Sequence, residues 1–261
     1  MENLKIALLQ SDISWENPLQ NRNQIEIYFA SIEAVDIILL PEMFATGFSV
    51  EATHLAEPMD GDTVAWMKEM ATKHQSVICG SLMIKDAGKI YNRLLWVEPS
   101  GLIKCYDKRH LFSLINEQKE FSAGIDRLII DYKGWRICPL ICFDLRFPVF
   151  SRNDVNYDLC FYVANWPSKR IAAWDVLLQA RAIENQAYII GVNRVGVDAY
   201  KASYSGHSQV LDPMGDLIAI APENGEGWVE VSLSKKHLGA IRKKLPFLNA
   251  RDEFDLKLIK L

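Results

Sequence analysis

Three chemically reactive side chains each follow an apolar segment of the sequence. Glu42 comes directly after VDIILLP, Lys108 follows LIKCYD, and Cys142 follows WRICPLI. Apolar runs of this kind predict strands, and in layered α/β proteins ligand sites form at the carboxyl ends of strands. Brought together there, the thiol would be a nucleophile, the carboxylate its base and the ammonium a group that stabilises developing negative charge.

Each of these residues also has a structural interpretation when it is taken alone. A free cysteine is often part of the core, and a glutamate at a strand end is usually solvated. Lys108 lies within Asp107-Lys108-Arg109-His110, a pattern typical of an exposed charged face. Spacing alone does not exclude these interpretations.

Other kinds of catalytic site have little support in the sequence. G-x-G-x-x-G, Walker, H-E-x-x-H and G-x-S-x-G motifs are missing, and the five histidines do not cluster at metal-ligand spacing. A zinc or redox enzyme therefore has little support, and we expect no metal site. A hydrolase that pairs Cys142 with His110 or His207 stays open at this point, because sequence does not give their distance.

Composition indicates the setting in which the protein works. The net charge is −4 and there is no basic block, so we expect neither nucleic-acid nor membrane-surface binding. No apolar run approaches the roughly 20 residues of a membrane span, and MENLKIALLQ is typical of a strand rather than a signal peptide. The five cysteines are odd in number and lie mostly in apolar runs, which favours a cytoplasmic protein with free thiols.

Short strands and amphipathic helices must position the reactive residues. Strands are predicted at 4–9, 35–40, 77–84, 89–97, 102–106, 128–132, 135–141, 159–163, 188–192, 207–211, 217–221 and 227–231. Helices are predicted at 18–32, 63–74, 147–153, 172–186 and 234–243. No Pro/Gly/Ser-rich linker separates the two halves, so we predict one α/β domain over residues 1–261, with two sheets in contact and helices outside.

The segments around the three residues resemble a known family. LLPEMFATGF, YDKRHLF and PLICFDLRFP are similar to the three signatures of the nitrilase superfamily of carbon–nitrogen hydrolases, and they occur in the family's order. The resemblance implies a four-layer α-β-β-α sandwich and no cofactor. It also implies that Glu42 is the general base, Lys108 the transition-state stabiliser and Cys142 the nucleophile, with an oxyanion bound by Lys108 and the backbone N–H of Phe143.

The resemblance implies two further features. The family has a second glutamate after the lysine, and Glu117 matches it through its spacing to Gly124, with Glu120 as the alternative. Members usually form homodimers by packing helices face to face, and the predicted helix 172–186 resembles one at that interface. The alternative is a helix that packs only on its own sheet.

Within the superfamily, the chain most resembles bacterial ω-amidases. The similar segments are PLICFDLRFPVFSRN, VANWPSKRIAAWDVLLQARAIENQAYIIGVNRVG and YSGHSQVLDPMG. This implies hydrolysis of the terminal amide of 2-oxoglutaramate or 2-oxosuccinamate through a cysteine thioester. Alternatives are another amidohydrolase of the superfamily, acting on an N-carbamoyl compound, an aliphatic amide or a nitrile, and a non-catalytic binding protein of the same fold.

A keto-amide substrate carries a carboxylate, so a cation should face the pocket. Arg146 and Arg170 are the candidates, because a guanidinium group matches the geometry of a carboxylate. The alternatives are an ion pair of Arg146 with Asp144 or with a helix carboxylate, and a surface position for Arg170. Apolar walls are expected from three aromatic residues: Phe44, Phe143 and Trp166.

Overall fold

Two six-stranded β-sheets form the centre of the computed structural model, which describes residues 3–256. The strands are β1 Leu4–Gln10, β2 Ile37–Leu39, β3 Val77–Asp86, β4 Lys89–Val97, β5 Ile103–Asp107, β6 Ile130–Tyr132, β7 Trp135–Ile141, β8 Leu159–Ala164, β9 Tyr188–Asn193, β10 Val195–Val197, β11 Ser203–Ser205, β12 Gln209–Leu211, β13 Leu217–Ile220 and β14 Gly227–Leu233. The α-helices are α1 Pro18–Phe29, α2 Asp62–His74, α3 Glu117–Glu120, α4 Pro148–Ser151, α5 Ile171–Asn185 and α6 Lys235–Lys244.

The first sheet has the order β14-β1-β2-β3-β4-β5 and the second β13-β12-β9-β8-β7-β6, while β10 and β11 form a separate hairpin. In the first sheet β1, β2 and β3 are parallel, and in the second β7, β8 and β9 are parallel. The outer strands pair antiparallel. Each half of the chain therefore builds a sheet with a parallel centre.

Strand periodicity explains why the first sheet is buried on both faces. Ile37 and Leu39 belong to the core between the sheets, whereas Ile38 and Leu40 belong to a second core beneath α1 and α2. Successive side chains point to opposite faces of a strand. A strand covered on both faces therefore needs the continuous apolar run seen at 35–40.

Helix α5 covers the second sheet, with Trp174 and Leu178 buried against β9 and β12. The layers run helix, sheet, sheet, helix, so the predicted α-β-β-α sandwich is confirmed. Within residues 3–256, no helix combines the length and apolar character that a membrane crossing requires.

The element bounds differ from the prediction at a few ends. The first helix ends at Phe29 rather than at 32, because Ala30 and Ser31 form tighter turns onto Ile27 and Tyr28. The predicted helix at 147–153 is only one turn, Pro148–Ser151, and the chain is extended at Arg152. The hairpin of β10 and β11 was not predicted.

Candidate active site

The reactive residues gather where strands of both sheets end. Glu42 follows β2 and Lys108 follows β5, which run in the same direction within the first sheet. Cys142 and Asn165 follow the parallel strands β7 and β8 of the second sheet. The site thus takes side chains from both halves of the chain.

Glu42 is completely buried, and each of its oxygens accepts hydrogen bonds. Oε1 accepts from Asn92 Nδ2 at 2.8 Å and from Lys108 Nζ at 2.9 Å. Oε2 accepts from the backbone N–H of Asn165 at 2.8 Å. A buried carboxylate needs such partners because desolvation otherwise disfavours its charged form.

Lys108 lies between two carboxylates. Its ammonium is 2.9 Å from Oε1 of Glu42 and 3.1 Å from both oxygens of Glu117, and it also lies 4.7 Å from the centre of the Phe48 ring. Burial alone lowers the pKa of Lys108, but the negative charges of Glu117 and Glu42 outweigh it and raise the pKa above its ordinary value. The amine therefore stays protonated at neutral pH.

Glu117 is the second glutamate that touches the lysine. It is fully buried, whereas Glu120 at the other end of α3 is exposed. Its Oε2 also accepts the backbone N–H of Phe112 at 2.5 Å. Burial raises the pKa of Glu117, Lys108 lowers it, and Glu42 raises it. Of the two glutamates considered from the sequence, the structure brings Glu117 to the site.

Cys142 occupies a sharp turn at the end of β7. Its φ angle is +41°, in the left-handed region that costs a non-glycine residue about 1 kcal/mol or more. The turn is held by Asp144, whose Oδ2 accepts the backbone N–H of Ile141 at 3.0 Å and the hydroxyl of Tyr106 at 2.7 Å. Its Oδ1 contacts His110. These bonds maintain a strained backbone that directs the thiol towards Glu42.

The surroundings of the thiol require a general base. Burial raises the pKa of the Cys142 thiol well above its usual range, and the Glu42 carboxylate raises it further while Lys108 lowers it. Its Sγ lies 3.9 Å from the carbonyl oxygen of Asn165. At neutral pH the sulfur therefore carries its proton, and the thiolate must be generated by proton transfer during attack.

The two histidines are engaged elsewhere. His110 Nδ1 is 2.7 Å from Asp144, and its ring stacks on Phe147 at 3.7 Å. His207 contacts Asp175 on α5 at 3.1 Å. The polar partners of the thiol within residues 3–256 are Glu42, Lys108 and Asn165, which leaves a Cys-His pair without structural support.

A cavity of about 380 Å³ opens beside Cys142 and Lys108. Of the residues expected in its walls, four line it: Phe143, Arg146, Trp166 and Arg170. Phe44 does not, so that prediction is wrong. Its ring lies in the core between the first sheet and α2, 5.9 Å from Trp66. Phe48, four residues further along the loop, lines the cavity instead.

The two arginines of the cavity stack on aromatic rings. Arg146 lies over Trp166 at 4.9 Å, and Arg170 lies over Phe112 at 5.2 Å. Neither guanidinium pairs with a carboxylate of the described chain. In particular, the alternative pair of Arg146 with Asp144 is wrong, because Tyr106 and His110 already occupy that carboxylate.

Two residues that donate hydrogen bonds to Glu42 have no counterpart in the sequence-based prediction. Asn165 follows a buried strand just as Glu42 and Cys142 do, so the same positional rule could have found it. Asn92 lies within β4 and has no comparable signal, because a polar residue inside a strand is usually assigned to an exposed face.

Comparison with known proteins identifies the family. Residues 5–243 match the carbon–nitrogen hydrolase family. The chain belongs to this family. It is therefore a hydrolase that acts on carbon–nitrogen bonds other than peptide bonds, as the sequence predicted.

Its relatives include proteins that are named as amidases. The chain is 44% identical over 256 residues to "Omega-amidase YafV" of Escherichia coli K12, covering 98% of this chain and all of that protein. It is 32% identical to "2-oxoglutaramate amidase" of Bacillus subtilis, covering 92% and 95%. A solved structure, XC1258 from Xanthomonas campestris, has 42% identity and a TM-score of 0.96, with coverage of 98% and 100%, and is described as carrying an arsenic adduct in its active site.

Proposed function

We propose that the protein is an ω-amidase. It hydrolyses the terminal amide of 2-oxoglutaramate or 2-oxosuccinamate to the 2-oxo dicarboxylate and ammonia. The activities named for the relatives from Escherichia coli and Bacillus subtilis support this assignment, and residues 1–261 are taken as one carbon–nitrogen hydrolase domain.

The observation that carries the substrate class is the pair of arginines in the cavity. Two guanidinium groups without a carboxylate partner in residues 3–256 face the same space as the thiol. Arg146 is exposed and Arg170 is half-buried, and a guanidinium group can bind a carboxylate with two parallel hydrogen bonds. The 2-oxo acid end of the substrate supplies such a group, while Phe143, Trp166 and Phe48 contact its methylene carbons.

The proposed reaction begins at the scissile amide. Glu42 removes the thiol proton as Sγ of Cys142 attacks the carbonyl carbon, and the negative charge on oxygen is stabilised by Lys108 and the backbone N–H of Phe143. Removing one donor of this kind typically costs about 3–4 kcal/mol of barrier. Glu117 keeps Lys108 charged and oriented.

The intermediate collapses when the carbon–nitrogen bond breaks. Glu42 returns its proton to the leaving nitrogen, which departs as ammonia and leaves a thioester on Cys142. Glu42 then takes a proton from water, whose oxygen attacks the thioester carbonyl. The carboxylic acid is released and the thiol regains its proton.

The decisive experiment is a coupled ammonia assay over matched substrates. The set contains the two keto-amides, glutamine, a neutral amide of similar length, an N-carbamoyl amino acid and a nitrile. We expect the highest kcat/KM for a keto-amide, and a lower value for glutamine because its ammonium replaces the planar keto oxygen. A strong preference for a neutral amide, a carbamoyl compound or a nitrile would refute the ω-amidase assignment and leave the family unchanged.

We also propose a homodimer that packs through α5. Val176 and Ile183 lie seven positions apart on this helix, on one face, and their side chains are 64% and 52% exposed. Exposed apolar residues that share a helix face favour an interface with another copy. Sedimentation equilibrium of the protein and of Val176→Glu tests this, since a dimer should shift towards monomer in the variant.

A cytoplasmic location completes the proposal. Cys138 and Cys160 are buried neighbours in register on β7 and β8, and both are free thiols. Unlinked cysteines of this kind are typical of proteins in a reducing compartment. Fractionation of cells that express the protein at native level would test the location.

A further inference from the structure

The base and the nucleophile of the proposed reaction come from different sheets. Glu42 lies beyond β2 in the first sheet, and Cys142 lies beyond β7 in the second. Proton transfer needs the two groups within hydrogen-bond reach. Their separation therefore depends on contacts that cross from one half of the sandwich to the other.

Asn165 makes such contacts with both groups. Its backbone N–H donates to Oε2 of Glu42 at 2.8 Å, and its Nδ2 donates to the backbone carbonyl of Glu42 at 2.6 Å. Its own carbonyl oxygen lies 3.9 Å from Sγ of Cys142. One residue of the second sheet thus holds the glutamate at its backbone and at its carboxylate, and also touches the thiol.

The two oxygens of Glu42 are held from opposite sides. Oε1 accepts from Asn92 and Lys108, which belong to the first sheet and the turn that follows it. Oε2 accepts from Asn165 of the second sheet. The bonds to Oε1 fix the carboxylate within its own half, and the bonds from Asn165 fix it relative to the nucleophile.

The side chain of Asn165 is poorly explained by stability alone. Its Nδ2 is satisfied by a carbonyl, which settles the orientation of the amide, and Oδ1 is then buried without a hydrogen-bond partner in the described chain. An orphaned buried acceptor offsets what one buried hydrogen bond contributes. The net effect on folding is small, whereas the effect on the position of Glu42 is direct.

We infer that Asn165 is a positioning residue that sets the general base against the thiol across the boundary between the sheets. The inference rests on the proposed roles of Glu42 and Cys142. Asn165 acts through Glu42, so its removal should impair proton transfer and leave substrate binding intact. A displacement of about 1 Å at such a site can cost on the order of 10²-fold in rate.

The first experiment separates positioning from a general structural role. Asn165→Ala should lower kcat on the order of 10²-fold, with KM nearly unchanged, and Asn165→Ser should recover part of the loss through its shorter donor. Asn153→Ala is the matched control, because Asn153 is a buried asparagine that bonds to the backbone of Tyr157 and Asn185. It should lower the unfolding temperature and leave kcat unchanged.

The second experiment measures whether Asn165 acts through Glu42. The rate at which iodoacetamide alkylates Cys142 at neutral pH, followed by mass spectrometry, is compared in the wild type, Asn165→Ala, Glu42→Gln and the double variant. We expect each single change to slow alkylation and the double variant to be no slower than Glu42→Gln. The inference is overturned if the effects of the two changes on the alkylation rate multiply in the double variant. It is also overturned if Asn165→Ala raises KM with kcat retained, or leaves kcat unchanged.

Two further variants keep the outcome interpretable. If circular dichroism shows that Asn165→Ala does not fold, the same measurements are made on Asn165→Leu, which preserves the volume of the side chain. Cys142→Ala separates the two proposals: turnover by that variant refutes the proposed chemistry itself. An inactive Cys142→Ala beside a fully active Asn165→Ala refutes only the role of Asn165.

Discussion

Glu117 holds Lys108 with both of its carboxylate oxygens, each 3.1 Å from the ammonium nitrogen. One of the same oxygens accepts the backbone N–H of Phe112, whose ring lines the cavity beneath Arg170. The glutamate therefore connects the cavity wall to the cation that we propose stabilises the oxyanion.

This relationship predicts the effect of neutralising Glu117. Glu117→Gln should reduce kcat on the order of 10²-fold, because Lys108 loses a charged partner and its fixed orientation. Glu120→Gln is the control, since Glu120 is exposed on the same helical turn. The rate of ammonia release and the far-UV circular dichroism spectrum test the pair, and equal, small effects would contradict the role of Glu117.

The nucleophile gives a second prediction. Cys142→Ala should retain its fold and release no ammonia, and iodoacetamide should inactivate the wild type in proportion to modification of Cys142. Cys138→Ala, four residues earlier in β7 and fully buried, should remain active. An active Cys142→Ala beside an inactive Cys138→Ala would reverse the assignment.

The left-handed backbone at Cys142 predicts an unusual order of stability. Cys142→Gly should unfold at a higher temperature than Cys142→Ala, because glycine adopts positive φ without the penalty of about 1 kcal/mol that alanine bears. Cys138 lies in a regular strand, so there the glycine variant should be the less stable of the two. Thermal denaturation of the four variants tests the prediction, which fails if alanine is favoured at both positions.

The arginines of the cavity predict a change in selectivity. Arg146→Gln or Arg170→Gln should lower kcat/KM for the keto-amide more than for a neutral amide of the same length, because only the former loses a charged contact. Losing a partner of a desolvated carboxylate costs about 2 kcal/mol or more, which is roughly 30-fold. Steady-state kinetics on both substrates test this, and parallel losses would indicate a structural role for the arginine.

The pKa of the thiol predicts how modification depends on pH. In Glu42→Gln no base remains beside Cys142, so alkylation requires a thiolate that forms by direct ionisation. Burial still raises the pKa, so the rate should keep rising with pH beyond about 8.5, where an ordinary thiol levels off. Stopped-flow alkylation between about pH 6 and 10, a range that spans the ordinary thiol pKa of about 8.5, tests the sign, and a plateau below about 8.5 would contradict it.

The sequence was informative wherever position along a strand decides what a residue does. Glu42, Lys108 and Cys142 became candidates because each follows an apolar run and parallel strand ends converge, whereas their roles came from the resemblance to the nitrilase superfamily. Apolar patterns also predicted the strands of both sheets. An alternating run indicates a strand covered on one face, and a continuous run indicates a strand covered on both faces.

The sequence was less informative where a side chain's direction depends on packing. Phe44 and Phe48 occupy one loop, and nothing in the local pattern shows that the first points into the helix-covered core and the second into the cavity. Asn92 reaches Glu42 from the middle of β4, across 50 positions of sequence. Contacts of this kind exist only after the tertiary structure has formed.

The contacts between Asn165 and Glu42 join residues 123 positions apart, and Tyr106 reaches Asp144 in the opposite direction across the same boundary. Each half of the chain therefore positions a residue of the site that belongs to the other half. Any loosening of the packing between the sheets changes the distance from base to sulfur while the strands stay hydrogen-bonded within each sheet. On heating or in dilute denaturant, the enzyme should lose its activity before its secondary structure melts, so that catalysis is the most sensitive measure of whether the sandwich is intact.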